Sequence, residues 1–303
     1  MVAPTRSRAL ITGGGGWHDL ARPGSSDGGK GRAMADEDGV VDLELDQAHS
    51  ARMYDYYLGG TTNFPADREA AAKAMTVFPS ILATARINRR FMHRSTRLLA
   101  RHGMSQFLDI GTGIPTSPNL HEVAQSVLPE ARVVYTDNDP IVLTHARALL
   151  QSHPAGRTAY VQADVTDPGA LLASPGLLDT LDLDRPVALS LNALLHFVPD
   201  ALGAHEIVDR LKAALAPGST LTVSHATPDF DPAGIARLTS AYQAAGTPGQ
   251  ARTRDEIVRF FDGWRLLDPG VTPTHQWRPD LDEDTANATS VEAACYAGVA
   301  RKP

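Results

Sequence analysis

Apolar residues recur in two rhythms along this chain. Short runs stand at Phe107, Leu108 and Ile110, at Val133 and Val134, at Tyr160 and Val161, in PVALSLN and in STLTVSHAT. Such runs suit strands buried on both faces. Between them the period lengthens to that of helices. Leu120, Val123, Ala124 and Val127 follow Asn119 and Glu122, a start resembling a capping box. Further helices are predicted over residues 86–102, 141–150, 201–215, 231–245 and 253–263, the last opened by Thr253 with Glu256. Residues 264–267 and 294–300 read as two more strands. Strand and helix thus alternate, as in an α/β fold.

The stretch QFLDIGTGIP, residues 106–115, organises the rest: a buried strand, then Gly111 and Gly113, then a helix. That context aims backbone N–H groups and a helix start at a polar ligand, although a plain tight turn also explains the glycines. Thr116 stands where a dinucleotide fingerprint has its third glycine, which weighs against a dinucleotide. Asp137 ends the next strand 24 residues after Gly113, near the spacing of about 20 at which an acidic residue grips ribose hydroxyls. Asn138, Asp139 and Pro140 also make a good turn, which accounts for part of that pattern. Asp164 closes a third strand beside the same crevice, placed to meet an adenine amino group. Asn192 and His196 lie just past the end of a fourth.

Upstream, residues 1–42 are rich in Gly, Ser, Arg and Asp and are predicted to be disordered. Gly24, Gly29 and Lys30 imitate a phosphate loop, but Gly31 follows where Ser or Thr belongs, so the match is a coincidence. Met34 is an alternative start. Residues 43–102 are expected to form a helical cap or lid and residues 103–303 the ligand-binding domain. In the cap, Tyr54, Tyr56 and Tyr57 precede Gly59 and Gly60 and suit either a ligand-contacting lid or a docked capping segment. On the helix over 86–102, Ile87, Phe91, Leu98 and Leu99 should face inward. Arg86, Arg90, Arg94, Arg97 and Arg101 should face largely outward, and Asn88 and Arg89 could reach a carboxylate.

Composition narrows the function. The 303 residues are 43% hydrophobic and 21% charged, with a net charge of −7, which offers no global attraction to nucleic acid or an anionic membrane. One cysteine, Cys295, excludes a disulfide framework, and a cytoplasmic location is expected. No apolar run is long enough to span a membrane. His121, His205, His225 and His275 have no metal-ligand spacing, and no Gly-x-Ser-x-Gly elbow occurs.

The set ARMYDYYLGG, NFPADR, NRRF, QFLDIGTGIPT, VVYTDNDP, LLHFVPD and AGVARK, in that order, resembles the actinobacterial S-adenosyl methyltransferase family, formerly a domain of unknown function. The resemblance implies a Rossmann-like class I methyltransferase fold. That is a seven-stranded, mostly parallel sheet with its last strand antiparallel, helices on both faces and an N-terminal helical cap. It also implies S-adenosyl-L-methionine as cofactor, while the acceptor is not something the resemblance supplies: an aromatic content of 6% and an acidic balance point to a small-molecule acceptor and no nucleic-acid partner, and a homodimer is left open. Carried over by position, Gly111 and Gly113 approach the methionine part, with Asp109 and Thr112 beside them. Asp137 and Asn138 hold the ribose, Asp164 and Val165 face the adenine, and Asn192 lies near the transferred methyl. His196 is the first candidate base; Tyr56 and Asp139 follow. A nicotinamide oxidoreductase and a non-catalytic sensor of the same cofactor are the alternatives.

Overall fold

The protein is described by a computed structural model covering residues 45–142, 151–279 and 287–303. The expectations for residues 1–42, for the phosphate-loop imitation within them, and for most of the helix at 141–150 lie outside the described residues. Leu45–Pro303 form one compact unit.

The apolar runs form the sheet. Its strands are β1 (Gln106–Ile110), β2 (Arg132–Asp137), β3 (Arg157–Gln162), β4 (Ala188–Asn192), β5 (Thr220–Ala226), β6 (Arg265–Leu266), β7 (Thr272–Pro273) and β8 (Cys295–Arg301). Their order is β3-β2-β1-β4-β5-β8-β6, with β7 also on β8. The first five pair in parallel and β8 runs antiparallel to β5. The seventh position is split: Arg265 pairs with Arg301 and Thr272 with Ala297, so β6 and β7 lie end to end along one edge of β8. Gly270, at a φ of 82°, turns the chain between them. The single strand expected at 264–267 is therefore two short ones, and the sheet counts eight.

Alternate side chains of β1 enter opposite cores. Leu108 and Ile110 join Leu171, Leu177, Ile207, Leu211 and Phe260 on one face. Phe107 joins Phe91, Leu99, Leu120 and Trp277 on the other. Strands buried on both faces thus have helices on both sides, as their unbroken apolar runs require. The order in which strands are added reverses at β1, which lies between β2 and β4. In open parallel sheets such a switch opens a crevice at the carboxyl ends of the strands.

Three helices precede the sheet: α1 (Ser50–Tyr57), α2 (Pro65–Val77) and α3 (Ile81–Arg101). Together with α8 (Pro232–Ala244) they enclose a third apolar cluster around Met53, Tyr57, Phe78, Ile81, Ala85 and Ile235. A buried charge cluster fastens α1 to the sheet edge. Arg52 Nε lies 3.3 Å from Asp67 Oδ1 and 3.5 Å from Asp139 Oδ2, and His49 Nδ1 lies 3.3 Å from the same Asp139 oxygen. Asp139 is thereby committed to holding the cap.

One side of α3 departs from its expected pattern. Arg94 is buried, its guanidinium donating to the carbonyls of Trp277 at 3.0 Å and Thr274 at 2.6 Å. It therefore leaves the solvated stripe, because two main-chain oxygens about 180 positions away need its donors. Among the described residues no helix is long and apolar enough to cross a membrane.

Candidate functional site

The site is built on the ends of β1, β2 and β4. Gly111 follows β1 with a φ of 70°, a conformation glycine adopts without strain. A Cβ added there would lie 2.6 Å from Leu194 Cδ1, so this backbone and the loop after β4 touch. The N–H groups of Gly111 and Thr112 both donate to the Thr136 carbonyl, at 2.8 and 3.1 Å, pinning the turn to β2. Gly113, at a φ of 69°, donates its N–H to Asp137 Oδ2 at 2.8 Å. The other carboxylate oxygen of Asp137 accepts from Asp139 N–H at 3.0 Å. Each oxygen keeps a lone pair for a ligand.

Both acids of this corner are buried. Burial raises the Asp109 carboxyl to about 6, against the Thr112 hydroxyl that donates to it at 2.6 Å and the nearby Arg89. Burial likewise raises Asp137, while its two backbone donors pull the other way. The helix after the turn, α4 (Leu120–Gln125), starts as expected: Glu122 accepts the N–H of Asn119, whose own side chain accepts from Thr116 N–H at 3.0 Å.

From this corner a single cavity runs under α1. Asp109, Gly111, Thr112, Gly113, Asp137, Asn138, Asn192 and His196 all line it. The structure thus brings together most of the residues singled out in the sequence. Asp164 and Val165 are not among the lining residues. Asp164 is exposed in a turn, accepting from Thr166 N–H at 2.8 Å, and Val165 is buried in the first core cluster. Tyr56 is also outside the lining; its neighbours Tyr54 and Tyr57 enter instead, one helical turn apart.

His196 is half-buried, and burial together with Arg252 lowers its pKa to about 4. The Ala226 N–H points at its Nδ1 from 3.4 Å, which leaves no room for a proton on that nitrogen. Neutral His196 therefore carries its proton on Nε2 and donates to whatever it meets.

Arg252, absent from the sequence expectations, governs this loop. It is fully buried and donates to the carbonyls of Leu195 and Val198, both at 2.9 Å, to His225 Nε2 at 2.8 Å and to Asp200 Oδ1 at 2.6 Å. His225 in turn donates from Nδ1 to Ala226 O at 2.7 Å. Arginine can satisfy so many acceptors because its donors lie in a rigid fork. Nothing in the local sequence around Arg252 signals this role.

Polar groups in the cavity wall lack partners. Both amide atoms of Asn192, Asn88 Oδ1 and Arg89 Nε are buried without a hydrogen bond. Buried polar atoms are rarely left so unless a ligand or water satisfies them. With ribose-competent Asp137 and the open glycine turn, the orphaned atoms of Asn192 and Arg89 fit a nucleoside-bearing cofactor.

The parallel sheet with its reversal at β1, the glycine turn and the acid ending β2 form a Rossmann-like site for a nucleoside-bearing ligand. The chain matches the S-adenosyl methyltransferase family over residues 36–303 and belongs to it. It is a methyltransferase whose cofactor is S-adenosyl-L-methionine. Among solved structures it is similar to a DUF574 family protein from Streptomyces avermitilis MA-4680, with 49% identity and a TM-score of 0.84, covering 86% of this chain and 100% of that one. It is also similar to a protein of Thermobifida fusca YX with a methyltransferase assignment, at 42% identity and a TM-score of 0.79, covering 86% and 97%. A comparison with curated proteins gives no match. Family membership sets aside the nicotinamide oxidoreductase alternative.

Proposed function

We propose that the protein transfers a methyl group to a small molecule held between the sheet edge and the N-terminal cap. One observation carries this reading: the cavity that starts at Gly111, Gly113 and Asp137 continues without a break to Tyr57, Ile235 and Tyr242. A binding module for the cofactor alone needs only the first part. The bound sulfonium supplies an electrophilic methyl and its leaving group.

In this proposal the turn at Gly111–Gly113 receives the methionine part, next to Asp109 and Thr112. Asp137 accepts from the ribose hydroxyls and Asn138 flanks them. Asn192 stands at the transferred methyl. The protein's task is alignment and exclusion of water, which brings the acceptor atom into line and keeps it dry. Residues 43–102 act as the cap of the acceptor end, and residues 103–303 as the cofactor domain. Asp164 and Val165 stand outside the cavity lining.

The test is a crystal structure with S-adenosylhomocysteine. Ribose hydroxyls within hydrogen-bond reach of Asp137 and the amino-acid end over the glycine turn are expected. A ligand bound elsewhere, with this corner unchanged, would refute the assignment.

A further inference from the structure

The far end of the cavity carries a distinct chemistry. Its wall is shared with the third apolar cluster: Tyr57, Ile81, Ala85 and Ile235 are buried there, with Leu238, Tyr242 and Ala251 packed against them. Phe197 adds its ring 5.5 Å from that of Tyr242. Two charged side chains of the cavity, Asp109 and Asp137, lie at the other end, by the glycine turn. Arg89 is turned toward the carbonyls of Thr116 and Pro118 beyond the glycine turn.

Every titratable group at the far end is held neutral. Burial raises Tyr54 and Tyr57 and lifts Tyr242 and Cys295 to about 12, while burial lowers His196 to about 4. A carboxylate or ammonium brought here would lose its water, and the Arg89 guanidinium beside Asn88 is already engaged with the carbonyls of Thr116 and Pro118.

Two polar fixtures interrupt the apolar wall. Asn88 Nδ2 donates to the Tyr54 hydroxyl at 3.1 Å, and that hydroxyl spends its proton on Ala85 O at 2.9 Å. This chain fixes the amide orientation and leaves Asn88 Oδ1 as a buried acceptor with no donor. The second fixture is the pair of hydroxyls of Tyr57 and Tyr242, 3.1 Å apart. One donates to the other, so a single O–H of the pair remains to be given away. Thr84, also in the wall, has its hydroxyl turned to Glu292 O at 2.7 Å.

We infer that the methyl acceptor is an uncharged, ring-sized apolar molecule bearing an O–H or N–H group that donates to Asn88 Oδ1. The inference rests on the proposed methyl transfer and names the substrate class of the same site. Aromatic walls suit a flat body, and a buried unpaired acceptor discriminates strongly for a ligand that can donate to it. The tyrosine pair gives a second fixture to a carbonyl or ether oxygen on the same molecule.

The experiment uses the full chain saturated with S-adenosylhomocysteine and titrated calorimetrically with naphthol, methoxynaphthalene and naphthoate. Naphthol is expected to bind at least about tenfold more tightly than either of the others, a difference of about 1.4 kcal/mol. Asn88→Leu should erase its advantage over methoxynaphthalene, and Tyr242→Phe should leave that advantage in place. Naphthoate binding as tightly as naphthol would overturn the inference while leaving methyl transfer intact. So would no binding of any of the three to protein that does take up S-adenosylhomocysteine. Failure to bind S-adenosylhomocysteine at all would instead remove the functional reading, and this inference with it.

Discussion

The N–H of Gly113 donates to Asp137 Oδ2 over 2.8 Å, tying the turn after β1 to the last residue of β2. Asp139 N–H holds the other oxygen at 3.0 Å, so two main-chain donors set the direction of this carboxylate before any ligand arrives. Preorganisation of that kind lowers the ordering cost of binding. The glycine turn and the acid, read as separate motifs in sequence, are one unit.

The two turn glycines should differ in their tolerance of a side chain. At Gly111 alanine meets both the left-handed φ and Leu194 Cδ1 at 2.6 Å; at Gly113 it meets the φ alone, the nearest atom being Ala51 Cβ at 4.0 Å. Left-handed backbone costs a non-glycine residue roughly 1–2 kcal/mol. Gly111→Ala should therefore destabilise by about 2–3 kcal/mol in urea denaturation, and Gly113→Ala by about 1. Equal losses would show that Leu194 yields freely.

His196 should act through a donated hydrogen bond. Glutamine keeps an N–H donor at that place and alanine does not. With an identified acceptor, His196→Gln is expected to retain most of kcat and His196→Ala to lose about tenfold or more. The rate should show no ionisation of His196 between about pH 5 and 8, because its pKa lies near 4. Equal loss in both variants, with an inflection in that range in the parent, would make it a base.

Acid should weaken the fold well above the range of ordinary carboxylates. Burial lowers both His93 and His196 to about 4 from 6.5. Below pH 6.5 the unfolded chain gains protons that the native state refuses until about pH 4. Their contribution is thus full above pH 6.5 and lost as pH falls toward 4. Asp109, raised to about 6, works in the opposite sense, losing its contribution as pH rises from 3.8 to 6. His225, buried and lowered too, joins the histidines and Asp137 joins the acids; three histidines outweigh two acids, so Tm should climb between pH 4.5 and 6.5, and His93→Gln should flatten the climb. A Tm that falls over this interval would contradict the account.

Arg252 is the positioning residue of the loop that carries His196. Lysine cannot reproduce its fork onto Leu195, Val198, His225 and Asp200. Arg252→Lys should cost about 2–4 kcal/mol in thermal or chemical unfolding, because it leaves the buried carbonyls of Leu195 and Val198 short of donors at about 1–3 kcal/mol each. A loss under about 0.5 kcal/mol would mean that the loop is held by other contacts.

What the sequence disclosed was local. The buried strands, the glycine turn, Asn119 with Glu122 and Thr253 with Glu256 each depend on residues within a few positions, so their patterns are complete in a short window. The far wall of the cavity is different. Tyr57 meets Tyr242 across 185 positions, and Arg94 meets Trp277 across 183. The stripe of Ile235, Leu238 and Tyr242 shows helical spacing, but spacing does not say what the stripe will face. Tyr56 was drawn toward the site by its company of tyrosines; the helical rotation of α1 sends Tyr54 and Tyr57 there instead. Asp164 lies outside the cavity lining, and its carboxylate accepts from the N–H and hydroxyl of Thr166 two positions on.

The central claim is that Asp137 and the glycine turn hold the cofactor, and titration calorimetry tests it most directly. The full chain should bind S-adenosylmethionine and S-adenosylhomocysteine saturably, and Asp137→Ala should weaken both by more than about tenfold, or about 1.4 kcal/mol. Binding by the folded variant as tight as that of the parent would contradict the claim, as would no binding by the folded parent.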